Sequence, residues 1–394
     1  MITRPEDVKA LFQSPADGFR TSLGAMKPLV GDQSLFVMDG ERHRRHRRLI
    51  GPPLRGERLH VFAGLIGELA GEEVRSWKTG SPFAIIEPMR ALTLRVIMRA
   101  IFGIYEGTGA QRVSDLITKL TSAPTAALAF FPRLQVDLGP RSPWGRFLRL
   151  NQELRTLFLA EVQRARREAA GRQDILARLT QEGSDEADKL GDEEIVDEMI
   201  TLLAAGHESS TAALAWTFQY ILADATLWGR LVDEVRSAST GDELTHAALE
   251  AMPLLEATVL ETMRLMPVAP VVPRHCVNDT TINDLTVPAG THLTACAYLT
   301  QRDAQVYPEP ETFRPERFLG KRPSPFELYP FGGGHRHCIG AALSLYEMRA
   351  ILAGVLKRAD LERPAAVQPQ RVVRRGILMI PSAGTPVVLR SRRN

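Results

Sequence analysis

Cysteine is scarce in this sequence, and its scarcity excludes several kinds of protein. Only Cys276, Cys296 and Cys338 occur among 394 residues, and no two of them form a C-x-x-C pair. An odd and widely spaced set predicts no disulfide framework and indicates a reducing, cytoplasmic environment. No C-x-x-C-H motif is present either, which excludes covalent attachment of a c-type haem.

Long apolar runs and a strong charge imbalance are also missing. No run of about 18 apolar residues occurs and the N-terminal segment MITRPEDVKALF has no apolar core, so we expect no membrane span and no signal peptide. The formal net charge is only +3, which is too weak a bias to indicate a nucleic-acid partner. No glycine/serine-rich or proline-rich linker divides the chain, so residues 1–394 are predicted to form a single domain.

What the sequence does have is long helical periodicity. Apolar residues recur with a period near 3.6 in four stretches: Leu59–Trp77, Leu92–Phe102, Gly145–Ala170 and Ile195–Leu222. Asp192 is the predicted N-cap of the last stretch, because Glu193 and Glu194 would then occupy its first turn. This helix would run to about Asp224, a length of roughly 45 Å.

The pattern changes after Pro267. Prolines and short runs rich in β-branched residues replace the helical periodicity there, and the final segment GILMIPSAGTPVVLR is predicted to form a hairpin. The fold class predicted from these patterns is mainly α with small β-sheets.

The segment FGGGHRHCIG, from Phe331 to Gly340, places Cys338 behind a glycine-rich loop and before an apolar helical stretch. A cysteine at a helix N-terminus faces the positive end of the helix dipole and unpaired N–H groups, and both favour the thiolate. The glycines allow the backbone to approach a large flat group, and Phe331 can shield the sulfur from water. Such a thiolate suits haem iron, although for Cys338 alone a buried structural cysteine would be the better interpretation.

The complete F-x-x-G-x-R-x-C-x-G string is more specific, and it resembles the haem-binding loop of the cytochrome P450 superfamily. The resemblance implies haem b as cofactor, Cys338 as the axial ligand of its iron, and Phe331 and Gly340 among the cofactor-binding residues. It also implies the triangular haem-thiolate prism as the fold. It begins at about Asp39, and the region before that residue is shorter than we expect for this family.

A second motif lies upstream. Glu261 and Arg264 are three residues apart and share one helix face, which by itself indicates no more than a surface ion pair. FRPERF, which contains Arg317, follows about 50 residues later and the cysteine loop comes next. This order is similar to that of the cytochrome P450 family, and it implies that Glu261, Arg264 and Arg317 form a buried structural network behind the haem.

The sequence AGHESS lies within the long helical stretch. Gly206 is unfavourable inside a helix by about 1 kcal/mol, and the Ser209 hydroxyl can bond to a carbonyl four residues earlier, so we expect a local kink. A packing glycine beside a polar patch is the simpler interpretation. In context the motif resembles the family's oxygen-binding groove, which implies that Glu208 and Ser209 deliver protons. His207 is expected at the surface or the edge of the core.

The densest basic run is RHRRHRR, residues 42–48. On a helix, His43 and Arg47 would lie on one face and could hold a carboxylate pair. The run resembles the family's propionate-binding helix, and the resemblance adds Arg274 and Arg336, so that four side chains would balance two haem propionates. The remaining arginines of the run would then dock an acidic ferredoxin-type or flavodoxin-type electron donor, itself served by a reductase: Arg44, Arg45 and Arg48.

The function that this resemblance implies is a cytoplasmic monooxygenase of secondary metabolism. It would insert one atom of O2 into an apolar small molecule such as a terpenoid, a fatty-acid-like compound or a polyketide. The substrate pocket implied by the resemblance is lined by apolar, mostly small residues: Ala204, Ala205, Val268, Val271, Val272, Ile377 and Leu378.

Two other classes of function remain open at this stage. One is a haem-thiolate enzyme that does not insert oxygen, such as an isomerase, a peroxide-driven oxidase or a C–C coupling enzyme; the other is a non-catalytic haem-binding protein. A zinc site at His335 and His337 is disfavoured because no further ligands occur at zinc spacing.

Overall fold

The computed structural model describes residues 1–393 except 22, 104–107, 122–127, 129–130, 169–171, 173, 182–188, 240, 242 and 366–369. Helices dominate the described chain. They are α1 (Pro5–Gln13), α2 (Lys27–Val30), α3 (Gly40–Ile50), α4 (Phe62–Ser76), α5 (Ile86–Ala100), α6 (Thr108–Thr121), α7 (Pro143–Arg167), α8 (Ile175–Gln181), α9 (Asp192–Ile221), α10 (Ala225–Ala238), α11 (His246–Glu250), α12 (Pro253–Leu265), α13 (Ala297–Thr300) and α14 (Ala341–Arg358). None of these helices has the combination of length and hydropathy that a membrane span requires, as far as the chain is described.

The strands are short and pair only in antiparallel fashion within the sheets described. They are β1 (Phe19–Arg20), β2 (Pro82–Ala84), β3 (Val271–Cys276), β4 (Thr280–Ile282), β5 (Leu285–Val287), β6 (His292–Cys296), β7 (Ala359–Glu362), β8 (Val372–Arg375), β9 (Leu378–Pro381) and β10 (Pro386–Arg392). The sheet orders are β1-β3-β6, β2-β10-β7, β4-β5 and β8-β9. The predicted fold class, mainly α with small β-sheets, is confirmed.

The predicted long helix is α9, and both of its ends differ slightly from the prediction. Gly191, not Asp192, is the N-cap, because the Glu194 carboxylate reaches back and accepts a hydrogen bond from the Gly191 N–H at 2.8 Å. The helix stops at Ile221 because Asp224 caps the next helix: its side chain accepts from the N–H groups of Thr226 and Leu227. The other periodic stretches correspond to α4, α5 and α7, except that Ala170 lies outside the described residues.

The prediction of the final hairpin, which would pair β9 with β10, is wrong by one strand. The hairpin is β8–β9, closed by a tight turn at Gly376, whose φ of +60° suits a two-residue loop. β10 instead pairs with β2 and β7, since the chain turns away at Gly384. That turn requires glycine, because φ is +64° and a Cβ there would lie 2.4 Å from Ile86 Cγ2.

Helix α9 crosses the core and packs closely against α5. Gly206 makes this approach possible, because a Cβ at this position would lie only 2.7 Å from Ile97 Cδ1. The glycine in AGHESS therefore has a packing role, as the simpler interpretation of the motif held. The helix continues without a break from Asp192 to Ile221.

The structure brings Glu261, Arg264 and Arg317 together. Glu261 and Arg264 are both fully buried, and Arg264 donates to the carboxylate in a bidentate manner, Nε to Oε2 at 2.7 Å and Nη2 to Oε1 at 2.9 Å. Arg317 Nε donates to Glu261 Oε1 at 3.0 Å. Arg264 Nη1 also donates to the carbonyls of Gln301 and Pro310, at 2.7 and 2.8 Å. The pair thereby ties the irregular segment that precedes the cysteine loop to α12.

We predict that Arg264→Ala lowers the free energy of unfolding by about 3–5 kcal/mol, because it leaves the Glu261 charge buried without its main partner. Urea unfolding of wild type and variant measures this difference. The matched control is Arg230→Ala, which breaks a pair with Glu316 whose side chains are 46% and 41% exposed, and which we expect to change stability by no more than about 1 kcal/mol. Equal effects in the two variants would contradict a structural network.

Candidate functional site

The loop that carries Cys338 is fixed by its own backbone. Cys338 N–H donates to the Phe331 carbonyl at 2.9 Å, and His337 N–H donates to the Gly334 carbonyl at 3.0 Å. Gly334 has a φ of +65°, and a Cβ there would lie 2.3 Å from the carbonyl oxygen of Phe12. Glycine is therefore required where the loop turns against α1.

The thiol of Cys338 has protein around it but is also accessible from one side. Burial raises the pKa of this thiol, although the N–H of Gly340 and the charge of Arg47 act in the opposite direction. The backbone N–H thus favours the thiolate, as the sequence predicts, but desolvation outweighs it. A bound metal cation would reverse this balance, because coordination deprotonates a thiol.

Helix α3 and the cysteine loop form the two walls of a cleft with a volume of about 500 Å³. His43, Arg47, Arg336 and Cys338 all line it. His43 is buried, and burial together with the charges of Arg336 and Arg47 lowers its pKa to about 3, so its ring is neutral at neutral pH. Arg47 donates from Nη1 to the His337 carbonyl at 2.7 Å, which joins the helix to the loop.

Backbone carbonyls hold both Arg274 and Arg336. Arg274 is bonded to the cysteine loop, and Arg336, which lies in that loop, is bonded to the segment before α3. Arg274 Nη2 donates to the Gly333 carbonyl at 3.0 Å, and burial lowers its pKa to about 10, which leaves it protonated at neutral pH. Arg336 donates to the Leu35 carbonyl at 3.0 Å and also bonds to Met38 O and Asp39. Its Nε is buried and has no partner among the described residues.

The side chains at this cleft and in the cysteine loop fit haem as a ligand. Cys338, Arg47, Arg336 and the neutral His43 line one cleft, and Arg274 does not line it but donates to the Gly333 carbonyl of the cysteine loop. The thiol matches the iron of haem, and the guanidinium and imidazole groups match its two carboxylates. The residues that would hold it are those predicted from the sequence: Cys338, His43, Arg47, Arg274 and Arg336.

The predicted oxygen and substrate side lies on α9. Between Ile195 and Phe218 every described side chain is buried except a strip formed by Ala204, Ala205, Gly206 and Ser209. The Ser209 hydroxyl donates to the Ala205 carbonyl at 2.7 Å, the bond predicted from the sequence. His207 is 1% exposed and bonds through Nδ1 to the Leu203 carbonyl, so the expectation that it lies at the surface or core edge is wrong.

Glu208 is held between two arginines that sequence reasoning missed. Arg90 Nε on α5 donates to Oε1 at 3.1 Å, and Arg375 Nη1 on β8 lies 3.6 Å from Oε2. Burial by itself would raise the pKa of Glu208, but His207 and the two guanidinium groups lower it to about 2. Glu208 is therefore ionised at neutral pH and paired with both arginines. No local sequence pattern around Arg90 or Arg375 indicates this role.

Of the predicted pocket residues outside α9, Val268 is bonded to the β8–β9 hairpin. The Met379 N–H donates to the Val268 carbonyl at 2.9 Å, and Trp216 Nε1 donates to the Met379 carbonyl at 3.1 Å, which places Val268, the hairpin and α9 side by side. Val268, Val272 and Leu378 are half-buried. Val271 and Ile377 are 41% and 43% exposed, and their lining role stays a prediction.

Comparison with known proteins identifies the same family as the sequence motifs. The family model described as Cytochrome P450 matches residues 1–387. Cytochrome P450 138 of Mycobacterium tuberculosis is 32% identical over 398 residues, which cover 100% of this chain and 86% of that protein. Cytochrome P450 137 of the same organism is 31% identical over 391 residues, 98% of this chain and 79% of the relative.

The fold is also found among solved structures. The cyanobacterial CYP120A1, solved with bound retinoic acid, matches with a TM-score of 0.83 over 98% of this chain and 87% of that chain. Sequence identity in this pair is 22%, so the match concerns the fold.

We predict that Glu208→Gln destabilises the protein at neutral pH and that the difference shrinks in acid. The folded-state pKa of about 2 lies below the ordinary 4.5, so the stabilisation is present above pH 4.5 and is lost as the pH falls toward 2. Its full size is on the order of 3 kcal/mol. Unfolding of wild type and variant at neutral pH and near pH 3 measures it; a difference in the free energy of unfolding that does not vary with pH would contradict the two ion pairs of Glu208.

Proposed function

The chain belongs to the cytochrome P450 family and is a haem-iron monooxygenase, and from this premise we propose that it oxygenates an apolar small molecule with electrons from a separate acidic donor. The accessible strip of small residues on α9 is the observation that carries the proposal. A helix buried on all other sides exposes alanine, glycine and one serine hydroxyl at its centre, and such a surface suits an apolar ligand.

Cys338 is the proposed axial ligand of a non-covalently held haem b. Bound haem supplies the activation of O2, in which a thiolate ligand favours O–O cleavage. His43, Arg47, Arg274 and Arg336 hold the propionates, and Phe331 and Gly340 leave the space beside the sulfur apolar and open.

Glu208 and Ser209 are the proposed proton-delivery pair. The Ser209 hydroxyl lies on the accessible strip and donates to Ala205, so its oxygen keeps lone pairs for a further hydrogen bond. Glu208 must leave at least one of its arginine partners before it can take up a proton, because both stabilise its anion.

The substrate pocket is formed by Ala204 and Ala205 together with the segment from Val268 to Val272 and the hairpin residues Ile377 and Leu378. These side chains are apolar, so terpenoid, fatty-acid-like or polyketide compounds are the proposed substrate class. The reducing environment indicated by the free cysteines favours the cytoplasm as the location.

We predict that Cys338→His abolishes the red-shifted absorbance of the ferrous–CO complex, which requires a thiolate ligand, and leaves some haem bound through the propionate-binding residues. Absorbance spectra of the reduced, CO-treated protein measure this. Cys296→Ala, which changes a buried cysteine of β6, is the matched control and should keep the band. Survival of the band in Cys338→His would overturn the ligand assignment.

The electron donor is proposed to be a ferredoxin or flavodoxin that docks at the cleft beside α3. Arg44, Arg48 and Arg55 line its outer part, and an acidic partner would be attracted there. Arg44 and Arg48 pair with Glu41 at the surface, and their side chains remain 48% and 67% exposed. Arg45, which the sequence assigned to the same surface, does not line the cleft: its side chain is 23% exposed and donates to Glu194 on α9 at 3.0 Å.

We predict that the double variant Arg44→Gln/Arg48→Gln slows electron transfer from a ferredoxin at low salt. The defect should shrink as salt rises, because the screening length falls from about 30 Å at 0.01 M to about 8 Å at 0.15 M. Stopped-flow reduction measures the rate. Arg133→Gln/Arg141→Gln, two exposed arginines outside the cleft, is the control. A defect of equal size at every salt concentration would refute electrostatic docking at α3.

A further inference from the structure

A buried group of ionisable side chains joins α3 to the first turns of α9, away from the chemistry assigned above. His46 on α3 and Glu198 on α9 are both 0% exposed. The ring nitrogen Nδ1 of His46 lies 2.7 Å from Glu198 Oε1, and Nε2 lies 3.2 Å from Glu194 Oε1. Glu198 Oε1 also accepts from the Leu35 N–H at 2.9 Å. Neither the histidine nor the two carboxylates has a part in the proposed reaction.

The hydrogen-bond chemistry of this group requires an additional proton. A neutral imidazole has one donor and one acceptor nitrogen, whereas an ionised carboxylate can only accept. Because both ring nitrogens face carboxylate oxygens, the two contacts cannot both be hydrogen bonds unless either the ring or one carboxyl group carries a further proton. In the contact between His46 and Glu198 that proton lies along the 2.7 Å line between Nδ1 and Oε1. Glu198 Oε2 is buried and has no partner among the described residues, so a full negative charge on this carboxylate would be only partly satisfied.

The surrounding charges indicate where the proton resides. Glu194 also accepts from Arg45 at 3.0 Å and from the Gly191 N–H at 2.8 Å. These two contacts, together with the contact to His46, lower the pKa of Glu194, although burial acts to raise it. Asp197, the nearest other acid on α9, is paired with Arg155 of α7 at 2.6 Å. Burial raises the pKa of Glu198 to about 7. The proton is therefore located between His46 and Glu198.

We propose that His46 and Glu198 share one buried proton, and that this proton holds α3 against α9 and so positions His43 and Arg47 at the haem cleft. His46 lies one turn from His43 and next to Arg47 on the same helix, so a shift of α3 would move both. The two are positioning residues, and the inference rests on the proposed function in that α3 is taken to bind the haem propionates.

The sign of the pH dependence follows from the folded-state pKa. For Glu198 that value, about 7, is above the ordinary 4.5, so the proton stabilises the junction fully below pH 4.5 and the stabilisation is lost as the pH rises through about 7. Above that range an ionised, partly unpaired carboxylate remains buried. Haem should then dissociate faster, by a factor that grows at most about tenfold per pH unit for one proton.

The experiment compares the holoenzyme with the isosteric variant Glu198→Gln, whose amide does not titrate and so removes the ionisable carboxyl group from the pair. Haem transfer to apomyoglobin is followed at several pH values, and the ratio of the wild-type rate to the variant rate cancels titrations common to both. We expect this ratio to rise severalfold between about pH 5 and pH 8, and amide exchange in residues 40–50 to accelerate with it in wild type only. Glu194→Gln serves as a second variant, because its amide can present either an acceptor or a donor to Nε2.

The control is Glu234→Gln. Glu234 is a half-buried carboxylate with a raised pKa that accepts from the N–H groups of Leu254 and Leu255, both at 2.8 Å, with no histidine beside it. Either of two results would overturn the proposal. One is a ratio of haem-transfer rates that does not vary with pH for either test variant. The other is a ratio that varies with pH while amide exchange in residues 40–50 does not change. Loss of the thiolate CO signature in wild type would instead refute the proposed function and can be recognised separately.

Discussion

The buried bidentate pair between Glu261 and Arg264 is the interaction on which the position of the site depends. From it a chain of hydrogen bonds leads to the cysteine. Arg264 holds the Gln301 carbonyl, the Gln301 side chain accepts from the Tyr329 N–H at 3.0 Å, and the Tyr329 carbonyl accepts from the Gly332 N–H at 2.9 Å. An irregular segment with no regular ladder of its own needs such external anchors, because its backbone groups would otherwise be unsatisfied. Helix α12, far away in sequence, therefore anchors the segment that leads into the cysteine loop, whereas the loop's own backbone bonds fix its shape.

Helix α9 is the second organising element, and its buried charges occur in two places. The first turns meet α3 through Glu194 and Glu198, and the centre meets α5 and the β8–β9 hairpin through Glu208. Each place connects a part of the proposed site to the same rigid helix: the helix proposed to bind the haem propionates in one case and the hairpin proposed to line the substrate pocket in the other. Charges buried in this way are retained only where partners are built around them, so both clusters fix the relative positions of the elements they join.

The sequence allowed prediction of those features whose partners are local or occur in a distinctive order. The E-x-x-R pair and the Ser209 back-bond are of this kind, since a helix by itself brings such residues together. The ion pairs of Glu208 with Arg90 and Arg375 could not be predicted, because Arg90 is 118 residues away and no local sequence motif marks either arginine. The final hairpin was misplaced for a similar reason: β9 and β10 have equally good strand composition, and only the turn at Gly384 and the distant strands β2 and β7 decide the pairing. Arg45 was assigned to the surface because its partner, Glu194, lies on another helix.

The ionisable groups at the cleft share a property that no single motif reveals. For the five side chains proposed to hold the haem, burial is the largest influence and opposes the charged form: it raises the pKa of the Cys338 thiol, lowers that of His43 to about 3 and lowers that of Arg274 to about 10, and it lowers the pKa of Arg47 and Arg336. A thiolate there is stabilised by a metal cation, and cationic side chains there are stabilised by carboxylates. A ligand that carries only one of these charges would satisfy half of the site. Haem carries both, with the metal at its centre and the carboxylates at its edge. The desolvation that disfavours each separate charge would therefore favour, at the proposed site, a ligand that neutralises all of them together.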